Sequence, residues 1–191
     1  MFTTSTAYFP PTAWFLAAME EEIWQWEAHE NYQKGGWRNR CRIATANGPL
    51  LLSVPLQGGK HSQTPVREVT ISDTTDWARQ HEQAIRSAYG RAPYFEFYAD
   101  QLFAVTRSSP ENLWAYNWRI TTTILEMLQL PIDLEHTTEF CGGGAGKVPV
   151  ATGVPPYPQP FSDRHGFIDD LSILDALFCL GPELSTLLHQ R

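Results

Sequence analysis

The chain has 191 residues, a net charge of −7, 42% hydrophobic residues and seven tryptophans. That length buries a core without a metal or disulfide staple, and the composition excludes disorder, collagen and coiled coil. The acidity excludes a broad nucleic-acid face, which needs a basic footprint.

In chain order, Thr3 to Phe9 reads as a first strand, stopped by Pro10-Pro11, and a short helix opens at Pro11 or Thr12 and runs to about Met19. Ile23 to Glu27 is a second strand, and His29 to Gly36 is turn-rich. Arg38 to Ala46, Asn47-Gly48 and Leu50 to Leu56 read as a hairpin. Val66 to Ile71 alternates like another strand. Helices follow. Trp77, His81, Ile85 and Tyr89 form a stripe at steps of four, and Tyr94 to Thr106 is a second, aromatic helix. Ser109-Pro110-Glu111 has the chemistry of a helix start, for a helix ending near Gln129 before Pro131. The run from Gly142 to Lys147 and the Pro-rich stretch after it read as a long loop. Leu171 to Cys179 is a short apolar helix, capped by Asp169 or Asp170 and ended by Gly181-Pro182, and Leu184 to His189 adds a last turn or two. Strands first and helices after predict an α/β fold, a single mixed sheet flanked by helices, in one domain over 1–191.

The cysteines Cys41, Cys141 and Cys179 are widely spaced with no CxxC, so no zinc ribbon or redox dithiol is expected. The apolar stretch Trp14 to Met19 is short and is followed at once by Glu20, Glu21 and Glu22. No signal peptide, no membrane span and a cytoplasmic location are the expectation.

Arginine outnumbers lysine eleven to three, and arginine suits fixed recognition of carboxylate or phosphate. The densest cluster runs from His29 to Arg42. Lys34, Arg38, Arg40 and Arg42 fall there without an intervening acid. On a strand, the three arginines share one face and Asn39 and Cys41 line the other. Such a face is either a phosphate or carboxylate site, with Gly35-Gly36 letting a ligand approach the backbone, or a set of arginines paired with carboxylates such as Glu30. His29 and Glu30 are candidates for acid/base work. His81 is either a base or a core histidine bonded to a carbonyl. Cys41 is either an activated thiol beside Arg40 and Arg42 or an inert buried one. Gly142 to Lys147 fails as a nucleotide loop, because Val148 stands where Ser or Thr must bind magnesium. A second cluster, Tyr157, Gln159, Asp163, Arg164 and His165, precedes the short apolar helix. It reads either as the closing part of an anion site or as a polar loop over the core.

These segments resemble the WbqC-like family. The likeness rests on Tyr8-Phe9-Pro10-Pro11, on His29 to Ile43, on Val54-Pro55, on Trp77, His81, Ala88 and Tyr89, and on Ala92 to Tyr98. It continues through Tyr157-Pro158-Gln159, Phe161 to Phe167 and Leu171 to Asp175, in a short form that lacks a middle region of longer members. Asp169-Asp170 departs from the Pro-Asn more often found there. The resemblance implies a role in surface-polysaccharide (O-antigen-type) precursor assembly. On that reading His29, Glu30, His81 and His165 are the catalytic candidates. Lys34, Arg38, Asn39, Arg40, Tyr157, Gln159, Asp163 and Arg164 would bind an anionic small-molecule substrate. Acyl or aminoacyl transfer to a phosphate-bearing amino sugar is the specific form, and a non-catalytic ligand-binding or complex-forming protein is the alternative. No cofactor is named and no metal ligand set is expected.

Overall fold

The computed structural model describes residues 1–21, 23–58, 63–108, 112–141 and 153–189. In chain order they form β1 (Phe2–Thr4), α1 (Thr12–Glu21), β2 (Ile23–Trp26), β3 (Arg40–Thr45), β4 (Gly48–Ser53), α2 (Trp77–Tyr89), α3 (Phe95–Thr106), α4 (Leu113–Leu128), β5 (Asp133–His136), α5 (Ser162–His165), α6 (Ile173–Leu180) and α7 (Glu183–His189). The class is α/β, with both parallel and antiparallel pairing. β1, β2 and β5 make a parallel sheet with β2 at its centre, and β3 and β4 make an antiparallel hairpin. The hairpin turns at Asn47-Gly48, as the sequence predicts.

The centre of the sheet is held by indole rings. Trp24 and Trp26 are two residues apart on β2, so they share a face, and both are fully buried. Trp24 meets Phe15 of α1 edge-on at 5.1 Å. Trp26 meets Trp114 and Trp118 of α4 edge-on at 5.6 and 5.5 Å. Each such pair adds about 0.5–1.5 kcal/mol beyond its area, so α1 and α4 are fixed against the same strand. The helix ends follow from local chemistry. Asn112 caps α4, its side-chain oxygen accepting from the Ala115 N–H at 2.8 Å, and Gln129 ends it with φ +50°.

Several expected elements differ. Only Phe2–Thr4 of the first strand is paired, because the chain then turns inward: Tyr8 and Phe9 are buried, and Phe9 takes a φ of +42°. Val66–Glu68 is a 3₁₀ turn, not a strand. Val66 and Val69 are both buried, a spacing of three that overrides the apparent alternation. β5 has no sequence signal, since three of its four side chains are exposed. Ser172, not Asp169 or Asp170, caps α6 by accepting from the Leu174 N–H. The segment Ser162–His165, expected as loop, forms one helical turn. The expected helix start at Ser109 to Glu111, and the glycine-rich run from Gly142 to Lys147, lie outside the described residues.

Gly181 joins α6 to the turn between α2 and α3. Its φ is +53°, and a Cβ there would stand 2.4 Å from the ring of Tyr94. Gly181→Ala therefore combines a disfavoured backbone conformation with overlap against an aromatic ring. It should cost about 2 kcal/mol or more, seen as a lower urea midpoint at unchanged slope.

Candidate functional site

In open parallel sheets the loops beyond the carboxyl ends of the strands are where ligands gather. Here that edge collects the residues after β1 (Ser5, Thr6), after β2 (Glu27, His29, Glu30) and after β5 (Thr137, Cys141). Two carboxylates organise it.

Glu27 follows the central strand directly and is 1% exposed. Its Oε1 accepts from the Thr137 hydroxyl at 2.8 Å and from the His29 N–H at 2.9 Å, and its Oε2 accepts from the Cys141 N–H at 2.8 Å. Burial works against ionisation. The backbone donors of His29 and Cys141, the Thr137 hydroxyl and the nearby His29 ring outweigh it and hold the carboxyl below its ordinary range. The result is a fixed negative charge beside the exposed His29.

Glu30 is the second carboxylate and is bound to Arg38. The guanidinium donates Nε to Oε1 at 2.9 Å and Nη2 to Oε2 at 2.6 Å, a two-pronged pair whose side chains are only 6% and 5% exposed. Nη2 also reaches the Ser5 hydroxyl at 2.7 Å. Asn117 of α4 donates to the Arg38 carbonyl at 2.7 Å and to the Thr6 hydroxyl at 3.1 Å. Arg38 thus ties β1, the 29–38 turn and α4 together. Gly36 makes room for this guanidinium, since a Cβ there would lie 3.2 Å from Arg38 Nη1.

The three arginines do not share one face. β3 begins at Arg40, so Arg38 precedes the strand and turns inward. Arg42 pairs with Asp170 and lies over Trp37, 5.6 Å from its centroid. Arg40 is half-buried and forms no ion pair among the described residues, and its Nε is buried without a hydrogen bond. Lys34 is exposed on the turn. Both ends of the Asn39 amide are engaged, its oxygen by the Tyr32 hydroxyl at 2.9 Å and its nitrogen by the Val54 carbonyl at 2.8 Å. Cys41 is buried, and burial pushes its thiol far up, away from thiolate chemistry.

His81 lies in the core at 7% exposure. Its ring donates to the Ser53 carbonyl, and the Tyr8 hydroxyl lies 3.0 Å from Nδ1. Burial lowers its pKa to about 4, so the imidazole is neutral near pH 7. Both its position and its partners are those of a core histidine.

The second cluster lies elsewhere. His165 donates from Nε2 to the Ala46 carbonyl at 3.1 Å, at the hairpin turn. Ala46 is six positions along the strand from Arg40, or about 20 Å. Asp163 and Arg164 are exposed on α5. Gln159 clasps the Ile168 backbone through both amide ends at 2.8 Å. Tyr157 donates to Asp175 Oδ2 at 2.7 Å in the core. The structure therefore brings His29, Glu30 and Arg38 together at the sheet edge and leaves His81 and the 157–165 residues apart from them. Glu27 does not stand out in the sequence. Its place directly after a strand and two residues before His29 is the signal that could have found it. Among the described residues no three His, Cys, Asp or Glu side chains gather as metal ligands, and no helix is long and apolar enough to cross a membrane.

A parallel sheet with an ionised carboxylate and an exposed histidine at its carboxyl edge defines an α/β protein with a polar strand-end site. The chain belongs to the WbqC-like protein family, whose model matches residues 6–148. That span contains the sheet-edge residues from Thr6 to Cys141, leaving out only Ser5, and stops before Tyr157. The uncharacterized protein Rv1507c of Mycobacterium tuberculosis (strain ATCC 25618 / H37Rv) is similar, with 33% identity over 110 residues, 57% of this chain and 47% of that protein. The chain thus spans about half the length of the curated relative it matches. No solved structure matches the chain.

Proposed function

We propose that the sheet edge is the active site of a cytoplasmic enzyme of surface-polysaccharide (O-antigen-type) precursor biosynthesis, moving an acyl or aminoacyl group onto a phosphate-bearing amino sugar. The observation that carries this reading is Glu27, a buried carboxylate held ionised beside the exposed His29. Glu27 accepts from the His29 backbone N–H and so fixes the position of an exposed imidazole, the side chain most often used for proton transfer. In the transfer, the sugar nitrogen forms a bond to the acyl carbon and the bond to the donor's thiol or hydroxyl leaving group breaks. His29 takes the proton from nitrogen and returns it to the leaving group. Arg40 and Lys34 face the phosphate, Arg40 having no carboxylate partner among the described residues. Glu30 and Arg38 position the 29–38 turn and touch no substrate.

A thermal-shift screen with nucleotide sugars and acyl carriers tests this, since a ligand at a hundredfold excess over Kd stabilises by about 2.7 kcal/mol. A ligand should stabilise the wild type and fail to stabilise Arg40→Ala, whose unliganded Tm stays near that of the wild type. His29→Ala should bind that ligand and lose turnover by about 10²–10⁴-fold. Equal stabilisation of wild type and Arg40→Ala would overturn the site.

The pairing of Arg38 with Glu30 and of Arg42 with Asp170 favours a second reading, a ligand-binding or complex-forming protein without catalysis. Binding without turnover by the wild type, unaltered in His29→Ala, would select it.

A further inference from the structure

The second motif of the sequence lies over a cleft that the sheet-edge site does not use. The strap Pro158 to Phe161 crosses the turn between α2 and α3, and the hollow between them has a volume of about 660 Å³. A second hollow of about 470 Å³ continues from it along the β3–β4 turn, and the two share Ala46, Ser87, Ala88 and Phe161. Volumes of this size are those of small-molecule sites.

The cleft is preformed. Gln159 is 7% exposed, and its two bonds to the Ile168 backbone fix the strap. His165 ties the same segment to the hairpin turn. Phe161, where the hollows meet, has a φ of +63°. A bulky residue in the left-handed region carries strain of about 1–3 kcal/mol, which persists where the surroundings over-determine it.

The charge of the lining is one-sided. In a chain of net −7, no Asp or Glu lines either hollow among the described residues, while Arg86 and Arg91 line the larger. Arg86 pairs with Glu82, which it shares with Arg107, and with Asp100 at 3.9 Å, and it lies over Phe103, 4.6 Å from its centroid. Arg91 is exposed and forms no ion pair among the described residues. Much of the rest of the larger hollow is alanine, proline and Phe161.

We propose that this cleft is a second binding site, for a compact apolar ligand carrying one anionic group, with Arg91 receiving the anion and the hollow beside Phe161 receiving the apolar body. It is independent of the sheet-edge reading.

The test is a fluorescence titration of the full chain with 8-anilinonaphthalene-1-sulfonate, an aromatic body with one sulfonate, and with the uncharged N-phenyl-1-naphthylamine. Arg91→Glu should weaken the sulfonate probe about tenfold or more and leave the neutral probe's affinity unchanged. Ser87→Trp, which fills the junction of the hollows, should abolish both. Phe97→Ser, which removes an exposed ring elsewhere (80% exposed), should alter neither. Sulfonate affinity unchanged in Arg91→Glu, or either probe bound normally by a folded Ser87→Trp, would overturn the proposal. Arg91 is exposed, so its variant folds even if Ser87→Trp does not. His29→Ala should bind both probes normally, which separates failure here from failure at the sheet edge.

Discussion

Asp175→Asn should raise stability at pH 8 by up to about 3 kcal/mol and leave it nearly unchanged at pH 4. Asp175 is fully buried on α6, and burial raises its pKa from 3.8 to about 6, against the lowering effect of hydrogen bonds from Tyr157, Tyr89 and Gln159. A carboxyl whose folded pKa is raised contributes stability that is fully present below pH 3.8 and lost as pH rises through about 6. A carboxyl moved that far between the unfolded and folded states is worth ~3 kcal/mol. Asparagine keeps the shape and never ionises, so that loss disappears. In a chain of this size each kcal/mol moves Tm by about 2–4 °C, and melting curves against pH check the result. His81 acts in the opposite sense. Its folded pKa of about 4 lies below the ordinary 6.5, so its contribution is present above pH 6.5 and lost as pH falls through about 4, again ~3 kcal/mol. In the wild type the two trends largely cancel between pH 6.5 and 4. Asp175→Asn should therefore show a steep acid loss that the wild type hides. A variant no more stable at pH 8, with a pH profile parallel to the wild type, would show that Asp175 is not coupled to folding through its proton.

Breaking the Glu30–Arg38 pair from one side should be the most damaging single change at the sheet edge. Glu30→Ala leaves a guanidinium buried at 5% exposure with only the Ser5 hydroxyl and a distant Gln33 carbonyl for company. Arg38→Met leaves a buried carboxylate. Each should cost about 3–5 kcal/mol, a fall of roughly 10 °C or more in Tm. The double variant Glu30→Leu with Arg38→Met removes both charges and should lose much less than the sum. The double-mutant cycle in urea measures that coupling. Additive losses would mean that the pair is not the reason for the burial. The result also bears on function: a guanidinium already held on both prongs has little left for a phosphate.

What the sequence shows and what it hides follows from the range of the interactions involved. The helix Trp77–Tyr89 is legible to the residue because its buried stripe is local and repeats at the helical step. The hairpin is legible because Asn47-Gly48 is a local turn signal. β5 is hidden because an edge strand with exposed Asp133, Glu135 and His136 carries no alternation. Val66 to Ile71 misleads because six residues fit a period of two and a period of three equally well. At the sheet edge, His29 and Glu30 stand out by composition, and the fold separates them, His29 exposed and Glu30 buried against Arg38. Glu27 is hidden because the donors that define it, Thr137 and Cys141, are 110 and 114 residues away. Arg38 is readable as either partner of a carboxylate or receiver of a phosphate, and only the fold of the 29–38 turn, which brings Glu30 onto both prongs, decides between them.

The middle strand of the parallel sheet has one neighbour 20-odd residues upstream and another more than a hundred downstream. Bringing β5 beside β2 closes a very long loop, an entropic cost that rises only logarithmically with length but slows the search. During synthesis the first two strands and the helix between them emerge well before residues 133–141 exist. Until those arrive, Glu27 is a hydrated carboxylate with its Thr137 and Cys141 partners missing. The Glu27 centre therefore cannot form until residue 141 has been made, and truncation anywhere before it removes that centre even if the early strands have already met.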